Sequence, residues 1–357
     1  MINTLIVEDS MVARQYLKYI LESDENIRVI GIVENGEEAI KFVSETKPDV
    51  ITMDINMPKM NGLEATRRIM ETNPVPIVIV SASYNQKDVE KSFMAMEAGA
   101  VAILEKPFGA DRPDHSEAIQ NLIQTVKLMS EVKVIKRWPR ERYSQSVPPA
   151  IPSDLNIIGV PPSVKAVAIG ASTGGPPVLQ TIIAGLRKNF PFPVLVVQHI
   201  SKGFIEGLVE WLAQTTSHPV HIAANGTVLR PGNIYFAPDD KHMGIEGNKI
   251  VLSSAPPENG TRPSVSYLFR SAVSAFGGNL IGVLLTGMGK DGAEELRSMK
   301  LQGAATIVQD KESSVVYGMP GEALRLDAQT LVLAPERIPS ALESIALKKN
   351  GTEENKA

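Results

Sequence analysis

Short apolar runs that alternate with longer segments of helical period constrain this chain more than any other feature of it. Residues 3–7, 28–33, 50–53, 77–80 and 101–104 are such runs, each followed by a polar start and an apolar repeat near 3.6 residues. Five consecutive βα units with short connections predict an α/β domain with a doubly wound parallel sheet of flavodoxin-like order, whose ligands gather outside the carboxyl ends of the strands. Ile119, Leu122, Ile123, Val126, Met129 and Val132 then lay one stripe on a closing helix expected near 117–136.

Residues 137–163 carry six prolines among polar spacers, which deny the backbone both helix and sheet ladders. We place a linker there. Beyond it, runs at 164–169, 194–197, 234–236, 250–252, 280–285, 305–308 and 331–333 predict a second α/β domain with a mainly parallel sheet. The expected organisation is a first domain over 1–128, a helix extension and linker over 129–162, a second domain over 163–348, and a frayed tail over 349–357.

The chain has no cysteine, which removes disulfides, thiolate metal sites and a cysteine nucleophile together. No apolar stretch reaches the roughly 18 residues of a membrane helix, and Glu8 and Asp9 stand where a signal peptide would carry basic residues, so the expected location is the cytoplasm. Residues 1–128 hold 13 basic and 20 acidic side chains, while residues 163–348 hold 16 and 15. The acidic front suits a divalent cation or a basic partner, and the near-neutral rear gives no electrostatic case for nucleic acid.

Glu8 and Asp9 follow the first strand and Asp54 the third, so the predicted sheet order brings three carboxylates to one edge. They repel unless a cation joins them. Oxygen ligands with room for water and phosphate suit Mg2+, with Asp54 as the phosphoryl acceptor and Ser81 and Lys106, at the ends of strands four and five, holding phosphoryl oxygens. Singly, each of these residues reads equally well as a helix cap or solvated surface. Their joint placement at four strand ends does not.

In the rear, AVAIGASTGGPP is a strand, a glycine turn and a proline-started helix, with Ser172 in the turn. GASTG fits G-x-S-x-G, which presents a serine on a sharp bend backed by backbone N–H groups and a helix dipole. The same turn could cradle a phosphate or cap the helix. His199 closes the strand PVLVVQHI and is the base best placed by position, against His115, His218, His221 and His242. A metal pair from His218 and His221 is the weaker alternative. Asp291, after the strand IGVLLTG, is expected either to orient the histidine or to cap its own helix. Gly287, Gly289 and Gly292, with Asp310 downstream, also satisfy the dinucleotide pattern G-x-G-x-x-G, although Asp291 would then face a pyrophosphate.

VEDS, DINMPKMNG, IVSAS and EKPF are the strings by which residues 1 to about 128 resemble the receiver domain of two-component response regulators. The resemblance makes Lys106–Pro107 a candidate cis peptide. It also exposes a departure, because receivers often place an aromatic three residues before the lysine and this chain has Ile103. GASTGGP, VVQHI, FAPDDKHM, PSVSYLFRSA, LLTGMGKDG and VYGMP extend the likeness over about residues 1–348 to the chemotaxis protein-glutamate methylesterases of the CheB family. That resemblance implies Ser172 as nucleophile, His199 as base, Asp291 as orienting carboxylate, and Thr173 and the backbone of Met288 beside the reaction centre. It further implies hydrolysis of glutamate γ-methyl esters on methyl-accepting chemotaxis receptors, deamidation of selected receptor glutamines, phosphorylation by the histidine kinase CheA, Mg2+ at the receiver and no cofactor at the esterase site. In that family the receiver covers the active site until phosphorylated.

Overall fold

The structure, a computed structural model, describes residues 1–81, 86–107, 115–132, 134 and 163–353, the side chains of 86–90 and 347–353 excepted. Two compact units divide the chain, Met1–Ser144 and Gln145–Ala357. Apart from Ser163, the proline-rich stretch expected at 137–163 lies outside the described residues.

The front unit runs β1 (Ile2–Val7), α1 (Met11–Leu21), β2 (Ile27–Val33), α2 (Gly36–Glu45), β3 (Val50–Met53) and α3 (Gly62–Thr72). It continues through β4 (Ile77–Ser81), α4 (Gln86–Ala98), β5 (Ala102–Glu105) and α5 (His115–Ser130). The strands are parallel in the order β2-β1-β3-β4-β5, the flavodoxin-like order expected from the alternation. Every residue of β3 and β4 is buried, which is why both read as unbroken apolar runs rather than alternating ones. Side-chain caps start the helices: Ser10 accepts from Ala13 N, Asn35 from Glu38 N and Asn61 from Glu64 N. The closing helix ends at Ser130, short of the expected Lys136.

The rear unit opens with β6 (Ala166–Ala171), α6 (Gly175–Gly185), β7 (Val194–Gln198), α7 (Ile205–Thr215), β8 (Val220–Ile222) and β9 (Ile234–Phe236). A hairpin of β10 (His242–Glu246) and β11 (Lys249–Ser253) precedes α8 (Val265–Phe276) and β12 (Leu280–Leu284). Then come α9 (Ala293–Leu301), β13 (Ala305–Gln309), α10 (Met319–Arg325), β14 (Leu331–Leu333) and α11 (Ile338–Glu353). Seven strands form one parallel sheet in the order β14-β13-β12-β6-β7-β9-β8, while the antiparallel hairpin stands apart. The hairpin's first strand was not expected, because HMGIE offers only two alternating apolar residues, Met243 and Ile245, around a strand-disfavouring glycine. The frayed tail is also corrected in part: α11 carries through Lys348 and Lys349, good helix formers, to Glu353.

The chain leaves β6 for β7 on one side and later returns to β12 on the other, so a topological switch point lies beside β6. Carboxyl-end crevices of such sheets form there. Ala171 pairs with Gln198 and Gly170 with Leu284, which brings the loops after β6, β7 and β12 to one edge. Leu195, Leu284, Val265, Phe269 and Leu296 close a core beneath them.

Candidate functional site

At the carboxyl edge of the front sheet, one oxygen each from Glu8, Asp9 and Asp54 lies within 4.8 Å of the others. Glu8 and Asp54 are buried and Asp9 is exposed, so the cluster opens to solvent on one side only. Lys106 Nζ stands 2.7 Å from Glu8 Oε2 and 3.1 Å from Asp54 Oδ2. Burial pushes the Glu8 carboxyl up and the neighbouring Asp54 charge adds to it, against the pull of Lys106. Burial likewise raises Asp54, with Lys106 opposing. Burial acts against the Lys106 ammonium, but Asp54 and Glu8 together hold it above the usual lysine value. Two buried carboxylates with one cation remain short of positive charge, and an all-oxygen donor set fits a hard divalent ion. Ser81 closes β4, and its carbonyl accepts Lys106 N–H at 3.0 Å, so the predicted phosphoryl-binding pair is adjacent. Ile103 is half-buried against the sheet core. Among the described residues the cis peptide is Arg262–Pro263 rather than Lys106–Pro107. X–Pro isomers differ by only about 0.5–1 kcal/mol, too little for the dipeptide alone to decide.

In the rear unit, Ser172 follows β6 in a turn where Gly174 takes φ +79°, a left-handed conformation, before Pro176 and Pro177 start α6. Its N–H donates to Thr286 O at 3.0 Å, and its carbonyl accepts Gly175 N–H at 2.8 Å. The loop after β12 presses against this turn, since a Cβ on Gly287 would lie 2.6 Å from Ser172 Cβ. The N–H groups of Thr173 and of Met288, the residue after Gly287, have no acceptor among the described residues. His199 N–H donates to Ala171 O at 2.9 Å, which seats His199 beside the strand that leads to Ser172.

His199 Nε2 is 3.0 Å from Asp291 Oδ2. The other contacts of Asp291 decide between its two sequence readings. Oδ1 accepts from Asn259 Nδ2 at 2.9 Å, Ser264 Oγ at 2.9 Å and Ser266 N at 3.1 Å, while Oδ2 accepts from Val265 N at 2.6 Å. The carboxylate therefore sits on the N-terminus of α8, across the crevice, and not on its own helix, whose N-cap is Gly292 without a side-chain bond. Burial alone would raise the Asp291 carboxyl, yet the His199 bond and charge, then Ser266 and Asn259, hold it well below the usual carboxylate range.

Asn259, Ser264 and Ser266 escaped the sequence reading as site residues. Ser264 carries an N-cap signal before VSYLF, but nothing in the string says that the capped terminus meets Asp291. The remaining histidines lie elsewhere: His115 Nε2 meets Tyr16 OH at 2.9 Å, His218 Nε2 the Leu186 carbonyl at 3.1 Å, His221 Nε2 Asn233 Oδ1 at 3.0 Å, and His242 Nε2 the Pro256 carbonyl at 3.0 Å. His218 and His221 thus serve separate partners and form no metal pair. The dinucleotide reading fails too, because Asp291 is committed to α8 and Asp310 accepts Ser313 N–H within its own loop.

Comparison with known proteins supplies the family. A response regulator receiver domain model matches residues 4–120, and a CheB methylesterase model matches residues 167–342. The chain is 56% identical over 98% of its length, and all of the relative's, to protein-glutamate methylesterase/protein-glutamine glutaminase 4 of Geobacter metallireducens. It belongs to the CheB methylesterase family. A second relative, protein-glutamate methylesterase/protein-glutamine glutaminase 1 of Syntrophus aciditrophicus, is 53% identical over 97% of this chain and 99% of that one. Among solved structures, the CheB methylesterase catalytic domain of Thermotoga maritima matches at 39% identity with a TM-score of 0.49, covering 52% of this chain and 99% of that domain. In this CheB-family chain, the receiver model falls within the front unit and the methylesterase model within the rear unit. Among the described residues, no helix is long and apolar enough to cross a membrane.

Proposed function

We propose that the rear unit hydrolyses glutamate γ-methyl esters, and the side-chain amide of selected glutamines, on methyl-accepting chemotaxis receptors through an acyl-enzyme at Ser172. One observation carries this reading: His199, held by Asp291, directly follows the strand that neighbours β6, beside a serine whose turn leaves the N–H groups of Thr173 and Met288 without acceptors among the described residues. Ser172 Oγ attacks the carbonyl carbon as its proton passes to His199 Nδ1, the ring nitrogen that Asp291 does not hold. The Thr173 and Met288 N–H groups receive the oxyanion. When the C–O bond breaks, His199 protonates the leaving methoxide, and methanol departs. Water then gives a proton to His199 and attacks the acyl carbon, releasing glutamate and restoring Ser172. With a glutamine substrate the leaving group is ammonia. No residue in this sequence of steps calls for a cofactor at the esterase site.

For the front unit the reading is a receiver over residues 1–128, joined by 129–162 to the catalytic domain at 163–348. Glu8, Asp9 and Asp54 would hold Mg2+, which supplies charge neutralisation for a phosphoryl donor. Asp54 accepts the phosphoryl group, and Ser81 and Lys106 hold its oxygens. A histidine kinase of the CheA type is the donor, and the cytoplasm, where receptor methylation sites are reached, is the location. Ester hydrolysis on methylated receptor by wild type and Ser172→Ala tests the central claim. A loss of several orders of magnitude supports it, and retained turnover would mean that the rear unit only binds its target.

A further inference from the structure

The carbonyl oxygen of Ser172 is held twice, by Gly175 N–H at 2.8 Å and by Gln198 Nε2 at 2.8 Å. Gln198 Nε2 also donates to the carbonyl of His199, again at 2.8 Å. A primary amide carries two hydrogens on one nitrogen, so this single side chain ties the backbone of the serine to the backbone of the histidine. Gln198 ends β7 and is buried. Among the described residues its Oε1 has no partner, a cost that a methionine of similar length would avoid. What methionine could not supply is the pair of donors.

A peptide group is planar and trans, so the carbonyl of Ser172 and the N–H of Thr173 point in opposite directions. Drawing the carbonyl toward Gln198 aims that N–H away from it, where no acceptor lies among the described residues. The next peptide is pinned from the other side, by Thr286 Oγ1 donating to Thr173 O at 3.0 Å. Thr286 is itself set by Gln309 Oε1, which accepts its N–H at 2.8 Å.

We propose that Gln198 is a positioning residue for acyl transfer, which orients the Thr173 N–H as an oxyanion donor and sets the spacing of Ser172 and His199. The inference rests on Ser172 being the nucleophile. Its energetic effect belongs to the transition state, because an oxyanion donor gains most where negative charge develops.

The full-length protein with Gln198→Met tests it, beside wild type, Ser172→Ala, and Ile345→Val as a mildly destabilised variant with its change in α11. We expect kcat for methyl ester hydrolysis to fall about 10- to 100-fold while KM stays within about threefold. Affinity for a boronic acid that forms a tetrahedral adduct on Ser172 should fall by a similar factor, and Ile345→Val should change neither. Gln198→Asn, which keeps an amide but withdraws it by one methylene, should show the same pattern with a smaller loss of thermal stability. A folded Gln198 variant with wild-type kcat, or with unchanged boronate affinity, overturns the inference. So does an activity loss in both variants that merely follows the unfolded fraction, since Gln198 would then be structural only. If Ser172→Ala itself stays active, the underlying nucleophile assignment fails instead.

Discussion

His199 meets Asp291 through Nε2, 3.0 Å from Oδ2, which leaves Nδ1 as the nitrogen able to take a proton from Ser172. In the trypsin-type arrangement the two nitrogens have the opposite duties. The exchange follows from the route of the chain: Asp291 is anchored on α8 by Val265 N–H and Ser266 N–H, so the imidazole must extend its far nitrogen to reach it. Among the described residues the side-chain bond of His199 goes to Asp291 and none joins it to Ser172 Oγ, so the proposed mechanism requires that bond to form with substrate in place.

If these three residues act as one unit, their losses must be unequal and non-additive. Ser172→Ala and His199→Ala should each lower kcat by several orders of magnitude, and Asp291→Asn by somewhat less. Steady-state rates of the Ser172→Ala, His199→Ala double variant should match either single variant. A double variant far slower than both would refute a shared mechanism.

The depressed Asp291 carboxyl also fixes a pH dependence. Its folded-state value lies below the ordinary 3.8, so folding is favoured by the ionised form. That contribution is complete above about pH 5 and is lost as pH falls below about 4 toward the folded-state value. Denaturant unfolding of the full chain should therefore show a stability gap between wild type and Asp291→Asn at about pH 5 that narrows as pH falls below about 4. A gap that stays unchanged below about pH 4 would assign the effect to another group.

The parallel sheets were legible as recognisable apolar runs, and Ser172, His199 and Asp291 lie directly after such runs or in the loop that follows one, on strands that neighbour one another. What holds the site was not legible. Asn259, Ser264 and Ser266 act on Asp291 from a loop and a helix start some 25 to 32 residues upstream, a meeting set by tertiary packing and not by local period. Gln198 and Thr286 look like ordinary strand-end polar residues until their partners are seen. The hairpin strand HMGIE was missed because its alternation, Met243 and Ile245 between His242, Gly244 and Glu246, is short and carries a central glycine.

Gly287 offers a steric test of the oxyanion edge. A methyl group there would lie 2.6 Å from Ser172 Cβ and would also strike Met319 Sδ, so the loop carrying Met288 must move. Gly287→Ala should lower stability by about 1–3 kcal/mol and lower kcat more than it raises KM. Wild-type kinetics in this variant would remove the Met288 N–H from the reaction centre.

Phosphoryl transfer to the front unit should depend on Asp54 and on a divalent ion. With a small phosphodonor and Mg2+, wild type should become labelled, whereas Asp54→Ala should not. Chelation by EDTA should abolish labelling of wild type, because Glu8, Asp9 and Asp54 gather negative charge that an incoming phosphoryl donor must otherwise meet. Stoichiometric labelling of Asp54→Ala would place the acceptor elsewhere.

The last expectation concerns coupling between the two activities. If the front unit restrains the rear one, as the family resemblance implies, a fragment from Ser163 onward, which retains the whole seven-stranded sheet, should hydrolyse methylated receptor faster than the unphosphorylated full chain. Phosphodonor and Mg2+ should raise the rate of the full chain and leave the fragment unchanged, and Asp54→Ala should hold the full chain at its restrained rate. The half-buried aliphatic Ile103 supplies no aromatic rotamer at that position, and the expected response is a shift in the populations of inhibited and free states rather than the turn of a named switch residue. For a restrained population of nine in ten, complete release gives about a tenfold rise in rate, since only the free fraction turns over. Equal rates for the fragment and the unphosphorylated chain on the same receptor substrate would eliminate restraint and leave the front unit a role in localisation alone.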